Sequence, residues 1–365
     1  MLEMKRTIAI LLSMMMCAGL LAGCGVAPAP SDAAASAAAS AAQPASEPAE
    51  PAAPAASATG AVPTGDKPIA LLIPSPVGDP FIALCVKGLE KLSEETGAEL
   101  KIIETLDKAE YEDQVRAMAE LGANPVYCMW GDLSELAVKV APEYPDTKFI
   151  LADVYMKTNQ PNVSSISVDP YASSFIAGYI AANSTEVGKV GFIAHADRPV
   201  SRRYRDGFIA GVHYVDESIP VEVAYVGNDQ DPVKGQEVAK LMIQNNGVDL
   251  IFQSASRSGL GVIAGCADQG IKCIGSDDWQ GDVDPCVFWS ALKPFDEALY
   301  VEGKSVFDGT YESGDKAYGL EQGLPMYDQR DFDKLPEELQ QGVLAVVEGI
   351  KSGEIQITED ENVVQ

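Results

Sequence analysis

From Ile69 onward the chain alternates short β-branched runs with amphipathic stretches about every 25 to 30 residues, the spacing of parallel strands joined by crossover helices. Ile69 to Ile73 is continuously apolar and predicts a strand buried on both faces. Asp79-Pro80 then supplies an N-cap and a proline at the first helical position. Phe81, Leu84, Cys85, Leu89 and Leu92 recur at helical spacing until Gly97 ends the turn. The same reading predicts strands at Glu99–Glu104, Val126–Trp130, Phe149–Asp153 and Val163–Val168, with helices at Lys108–Leu121 and Leu133–Ala141. A second series follows. Its helices are Tyr171–Ala182, Ser201–Val215, Val233–Asn246 and Ser258–Gln269, and its strands Lys189–Ala194, Val221–Val226, Val248–Gln253 and Ile271–Gly275. The apolar segment Cys286–Leu292 and the helix Phe295–Phe307 are expected to cross back to the first series.

Two such series without a long linker predict an α/β protein of two doubly wound parallel-sheet lobes, joined by crossover segments and facing each other across a cleft. The expected first lobe is 66–169 plus about 290–314, and the second 170–289 plus about 315–365. Ahead of them the pattern changes twice. Lys5-Arg6, an apolar run to Leu21 and Leu21-Ala22-Gly23-Cys24 describe a secretory leader over 1–23, too short for a comfortable membrane span. Its ending resembles the bacterial lipobox, which implies cleavage before Cys24 and lipidation of its sulfur. In 24–65 nothing can form a core: 30 of the 40 residues after Gly25 are Ala, Pro or Ser, and the recurrent prolines prevent a long helix. This stretch is expected to be a disordered tether that holds the lobes away from a membrane.

Charge narrows the partners. With 54 acidic against 26 basic residues the formal charge is −28, so nucleic acid and anionic membrane surfaces are excluded as electrostatic partners, and contact with the membrane is expected through the lipid anchor only. Two histidines, and five cysteines beyond Cys24 without zinc-ligand spacing, leave no metal site to expect. The five cysteines read mainly as small buried hydrophobes, with a disulfide open. Gly259-Leu260-Gly261-Val262-Ile263-Ala264-Gly265 follows a strand as a dinucleotide fingerprint does, but its spacing is G-x-G-x-x-x-G and five residues separate it from Gln253. Close helix packing explains those glycines better. Neither H-E-x-x-H nor G-x-S-x-G occurs, and His195 at a strand end reads as a loop residue. No enzymatic chemistry and no cofactor are expected.

Polar and aromatic residues directly after apolar strands do stand out: Trp130, Asp132, Asp153, Asp277, Asp278 and Trp279. A carboxylate there can accept two hydroxyl hydrogen bonds from a sugar, and an indole can stack on a planar ring. Helix capping accounts for about half of such aspartates. Arg198, Arg202, Arg203 and Arg205 cluster in this acidic chain; such a cluster can hold a ligand or a partner, but it reads first as a solvated helix face.

Segments over about 68–355 resemble the basic membrane protein family, the nucleoside-binding PnrA-like substrate-binding lipoproteins of ABC importers. They are Gly188-Lys189-Val190-Gly191-Phe192-Ile193, Arg205-Asp206-Gly207-Phe208-Ile209-Ala210-Gly211-Val212, Tyr225-Val226-Gly227 with Asp231-Pro232-Val233-Lys234-Gly235, Ile251-Phe252-Gln253 with Ser258-Gly259-Leu260-Gly261-Val262, and Gly319-Leu320-Glu321-Gln322-Gly323. The resemblance implies a type I periplasmic-binding-protein-like fold that closes on a ligand and delivers it to a permease. It matches Phe81 to a base-stacking phenylalanine, Asp277 and Asp153 to ribose-binding aspartates, and Lys293 to a lysine on the crossover strand. Three departures lie at the base end. Asp229 stands where a second stacking aromatic is expected, Ser256-Arg257 replaces a glycine pair, and Gly78 and Ile82 replace polar neighbours of Phe81, with Asp79 one residue away.

The expected ligand-binding set is therefore Asp79, Phe81, Trp130, Asp153, Asp229, Arg257, Gly259, Asp277, Trp279 and Lys293. The implied protein is a monomeric, lipid-anchored receptor on the extracytoplasmic face of the cell membrane. It captures a purine nucleoside or related small molecule for ABC permease subunits. A nucleobase or riboflavin as ligand, or a sensing subunit for a membrane receptor, are the alternatives.

Overall fold

The computed structural model describes residues 67–356. The leader, Cys24 and the tether lie outside the described residues. In chain order the elements are β1 (Ile69–Ile73), α1 (Pro80–Thr96), β2 (Leu100–Glu104), α2 (Tyr111–Glu120), β3 (Val126–Met129), α3 (Trp130–Val140), β4 (Phe149–Ala152) and β5 (Val163–Val168). There follow α4 (Tyr171–Ser184), β6 (Val190–Ala194), α5 (Pro199–Val215), β7 (Val221–Tyr225), α6 (Pro232–Asn246), β8 (Leu250–Ser254), α7 (Ser256–Gln269) and β9 (Lys272–Asp277). The last are β10 (Val287–Leu292), α8 (Phe295–Phe307), β11 (Gly314–Tyr318), α9 (Gln329–Phe332) and α10 (Glu337–Ser352).

Two parallel sheets result, ordered β11-β5-β4-β3-β1-β2 and β10-β9-β8-β6-β7. Period-two alternation sends neighbouring side chains to opposite faces, and helices cover both. Ile69, Leu71 and Ile73 pack with α1 and α8, whereas Ala70 and Leu72 pack with α2 and α3. In the second sheet Phe192 and Phe252 face α4 and α5, while Ile193 and Ile251 face α6 and α7. This is why β1 reads as an unbroken apolar run.

Glycine lets some of these layers approach very closely. A Cβ on Gly211 of α5 would lie 1.9 Å from the Phe175 carbonyl of α4, and one on Gly261 of α7 would lie 1.7 Å from the Pro232 carbonyl of α6. Gly261 and Gly265 therefore serve the packing of α7 on α6. Four of the five cysteines are buried, Cys286 is half-buried, and all five are free thiols; burial raises the Cys128 thiol to about 12.

The chain crosses between sheets three times: after β5 at Asp169-Pro170, after β10 at Lys293-Pro294, and after β11 near Gly319. Two expectations change. Cys286–Leu292 does not run back to the first lobe; β10 is the edge strand of the second sheet, paired in parallel with β9. Residues 315–318, expected in the second lobe, belong to β11 at the edge of the first sheet, paired with β5. Lys316 holds β11 there by a 2.8 Å contact to Glu302 of α8, which is buried.

Candidate functional site

The carboxyl ends of both sheets open onto one cavity of about 460 Å³, a size suited to small molecules. Its lining includes Asp79, Phe81, Trp130, Asp153 and Lys293, with Asp229 and Asp277 from the second lobe. Seven of the ten residues singled out from the sequence thus meet in one place.

Local backbone places them. Asp79 caps α1, its Oδ1 accepting from the Phe81 amide at 2.9 Å, so the first turn aims Phe81 at the cavity. The other oxygen, Oδ2, accepts from Gln230 Nε2 at 2.9 Å, a bond from one lobe to the other. Among the described residues, positive φ outside glycine is confined to Trp130 (61°), Asp153 (59°), Ser256 (51°) and Asp277 (70°). All four line the cavity at strand ends. Each such conformation costs on the order of 1 kcal/mol or more, and this strain is concentrated where the side chains must be aimed.

The polar centre is a buried network. Lys293 is 2% exposed, and its ammonium lies 2.6 Å from Asp153 Oδ1 and 4.7 Å from the Phe81 ring centre. Trp130 Nε1 donates to Asp153 Oδ2 at 3.2 Å. The backbone amide of Lys293 donates to the Asp277 carbonyl at 2.9 Å, so one crossover residue ties a first-lobe carboxylate to the end of β9 in the second. The Tyr204 hydroxyl donates to Asp277 Oδ1. Burial raises the Asp277 carboxyl above its ordinary value, against the opposing pull of the Lys293 ammonium and the Tyr204 hydroxyl. Burial, followed by the nearby Arg198, lowers the His195 ring, which is therefore neutral at pH 7.

Three expected residues do not line the cavity. Gly259 packs under Gln253, whose Oε1 would be 1.9 Å from a Cβ there. Arg257 is exposed on the first turn of α7. Trp279 is engaged elsewhere: its Nε1 donates to Asp331 Oδ1 at 3.0 Å, and the Arg330 guanidinium stacks 3.6 Å over its ring. It anchors α9 to the second lobe.

Glu135, Tyr155, Tyr204 and Ser254 also line the cavity and escaped the sequence reading. His195 and Arg198 line it too, where the sequence reading places them in a loop and on a helix face. His195 and Ser254 end β6 and β8 just as Asp277 ends β9, so the strand-end rule would have found them if applied beyond acids and indoles. Tyr204 carries no such signal, because an aromatic on the inner face of α5 reads as core. The arginine cluster divides: Arg203 is buried against Asp169, Arg202 and Arg205 pair with Asp197 and Asp206, and Arg198 lines the cavity.

A site of this kind binds rather than reacts. Asp79, Asp153, Asp277 and Lys293 are satisfied by each other and by neighbouring donors, and the acceptors suit hydroxyl groups. Five carboxylates (Asp79, Glu135, Asp153, Asp229, Asp277) face it against two permanent cations, Lys293 and Arg198. That balance opposes a phosphate-bearing ligand.

Comparison with known proteins agrees. Residues 67–361 match the family model described as ABC transporter substrate-binding protein PnrA-like. Basic membrane protein A2 of Borrelia garinii subsp. bavariensis is 26% identical over 273 residues, 73% of this chain and 80% of that protein. A purine-binding protein of Brucella abortus is 27% identical over 248 residues, 68% of this chain and 69% of its own length. The crystal structure of an ABC transporter solute-binding protein from Aeropyrum pernix K1 shares the fold with a TM-score of 0.68 at 23% identity, covering 81% of this chain and 95% of that one. The chain belongs to the Bmp family of PnrA-like substrate-binding proteins of ABC transporters, and is a binding protein rather than an enzyme.

Proposed function

We propose that this substrate-binding protein captures a purine nucleoside at the extracytoplasmic face of the membrane, held there through a lipid on Cys24, and passes it as a monomer to its permease. The observation that carries the ligand class is the cavity itself: an aromatic face at Phe81 and hydroxyl acceptors at Asp153 and Asp277 converge within about 460 Å³. A flat ring joined to a polyhydroxylated sugar satisfies both halves. The surplus of carboxylates favours a nucleoside over a nucleotide. The purine-binding relative from Brucella abortus supports the ring type.

Capture follows from the two-lobe geometry. Each lobe supplies half the contacts, and ligand burial favours the closed arrangement in which Gln230 meets Asp79. Lys293, at the crossover after β10, sits where such a closing movement is felt.

A thermal-shift panel of nucleosides, nucleobases, nucleotides and flavins tests the ligand class. A nucleoside at one hundred times its Kd is expected to stabilise by about 2.7 kcal/mol, a rise of several degrees, and its 5′-phosphate far less. A nucleobase or flavin that outperforms every nucleoside would replace the reading. The anchor is tested by Cys24→Ala, which is expected to release the protein from the membrane fraction. Retention of the variant on membranes would disprove lipidation at that residue.

A further inference from the structure

Two opposite charges on the second-lobe side of the cavity have no hydrogen-bond or ion-pair partner for their side chains among the described residues. Asp229 lies in the turn after β7, and that turn is firmly held. Ser258 Oγ donates to the Asn228 carbonyl at 2.7 Å and accepts from the Asp231 amide at 2.8 Å. The Asp229 carbonyl accepts from the Ser258 amide at 3.0 Å. Its carboxylate, however, takes part in no hydrogen bond or ion pair among the described residues, although it lines the cavity. Arg198, at the head of α5, lines the same cavity. The three neighbouring arginines each pair with an aspartate; the Arg198 guanidinium has no ion pair among the described residues. His195 shares this wall and is neutral, so it does not neutralise Asp229.

A half-buried unpaired acceptor and an exposed unpaired fork of donors lie on the second-lobe side of the cavity, with Phe81 supplied from the opposite lobe. We infer that Asp229 and Arg198 read the polar edge of the ring and select a 6-oxopurine nucleoside, guanosine foremost; the inference rests on the nucleoside reading above. Guanine presents N1–H and N2–H₂ side by side, which one carboxylate accepts together. Its O6 and N7 accept from a guanidinium fork. Adenine reverses the pattern: its N1 lone pair would face the carboxylate, and its N6 amine would face the guanidinium. Hypoxanthine keeps O6 and N1–H but lacks the 2-amino group. A carboxylate and a guanidinium that each match one edge of guanine disfavour the reversed edge of adenine, because their own groups are left unpaired against it. Asp229 thus replaces stacking with hydrogen-bond readout.

Isothermal titration of the purified full chain with guanosine, inosine and adenosine tests this. Guanosine is expected to bind tighter than adenosine by about tenfold or more, with inosine between. Asp229→Asn is expected to bring the guanosine-to-adenosine ratio close to one, and Arg198→Gln to lower it. Adenosine binding as tightly as guanosine, or a ratio that survives Asp229→Asn, overturns the inference and leaves the nucleoside reading standing. Failure of all three nucleosides to bind removes the nucleoside reading, and the inference with it.

Discussion

Replacing Lys293 by methionine is expected to lower the thermal midpoint of the ligand-free protein by about 6–10 °C and to abolish the shift produced by ligand. The reason lies in what is left behind. The ammonium is almost fully buried, 2.6 Å from Asp153, and it is the cation that opposes the burial cost of Asp277. Methionine keeps much of the stem but removes the charge over the Phe81 ring and leaves carboxylates in a partly desolvated space without their nearest counter-charge. Removing one member of a buried pair costs about 3–5 kcal/mol, and a domain of this size moves about 2 °C per kcal/mol. Lowering the pH protonates the stranded carboxylates, so the deficit should shrink as the solution becomes more acidic. A double-mutant cycle separates charge from packing: Lys293→Met with Asp153→Asn should recover a large part of the loss. A single variant that melts within about 1 °C of the parent, or a double variant no better than the single, would rule out this account.

The same residue shows how far the sequence can be read. Strands buried on both faces, such as β1, β3 and β4, are visible as apolar runs, and in a parallel sheet the residue after each run stands at the mouth of the cleft. That rule reaches Trp130, Asp153 and Asp277 without knowledge of how the lobes meet. It fails for Trp279, two residues beyond Asp277, because the indole is taken by Asp331 and Arg330 from a helix some fifty residues later. β10 has the same apolar signature as any other buried strand; which sheet receives it depends on pairing with β9, and that is not written in the strand. β11 has hardly any signature. Gly-Asp-Lys-Ala-Tyr is an edge strand with exposed Asp315 and Ala317, and it is held by Lys316 on Glu302. The resemblance to the Bmp family supplied Lys293, since a lysine after an apolar run has no meaning until the crossover brings it against Asp153.

Asp277→Asn is expected to separate binding from stability, weakening nucleoside affinity by about ten- to a hundredfold while raising the midpoint of the ligand-free protein by about 2 °C. A hydrogen bond to a charged group contributes about 1.5–3 kcal/mol, and sugar hydroxyls lose such an acceptor when the carboxylate becomes an amide. Stability moves the other way because the Asp277 carboxyl is raised in the folded protein by burial and by Asp153, more than Lys293 and Tyr204 lower it. The native state therefore binds this proton more tightly than the unfolded chain does, and ionisation at neutral pH costs native stability. Asparagine removes that cost, still accepts from Tyr204, and tolerates the left-handed backbone at φ 70°. The advantage of the variant should be full above the folded-state value and fade as the pH falls toward about 4, where the carboxyl is protonated even in the unfolded chain. Melting curves from pH 4 to 8, paired with titration calorimetry, measure both effects. If the ligand-free variant melts below the parent at neutral pH, the raised carboxyl is not a stored cost. If it binds nucleoside within about threefold of the parent, Asp277 is not the hydroxyl acceptor.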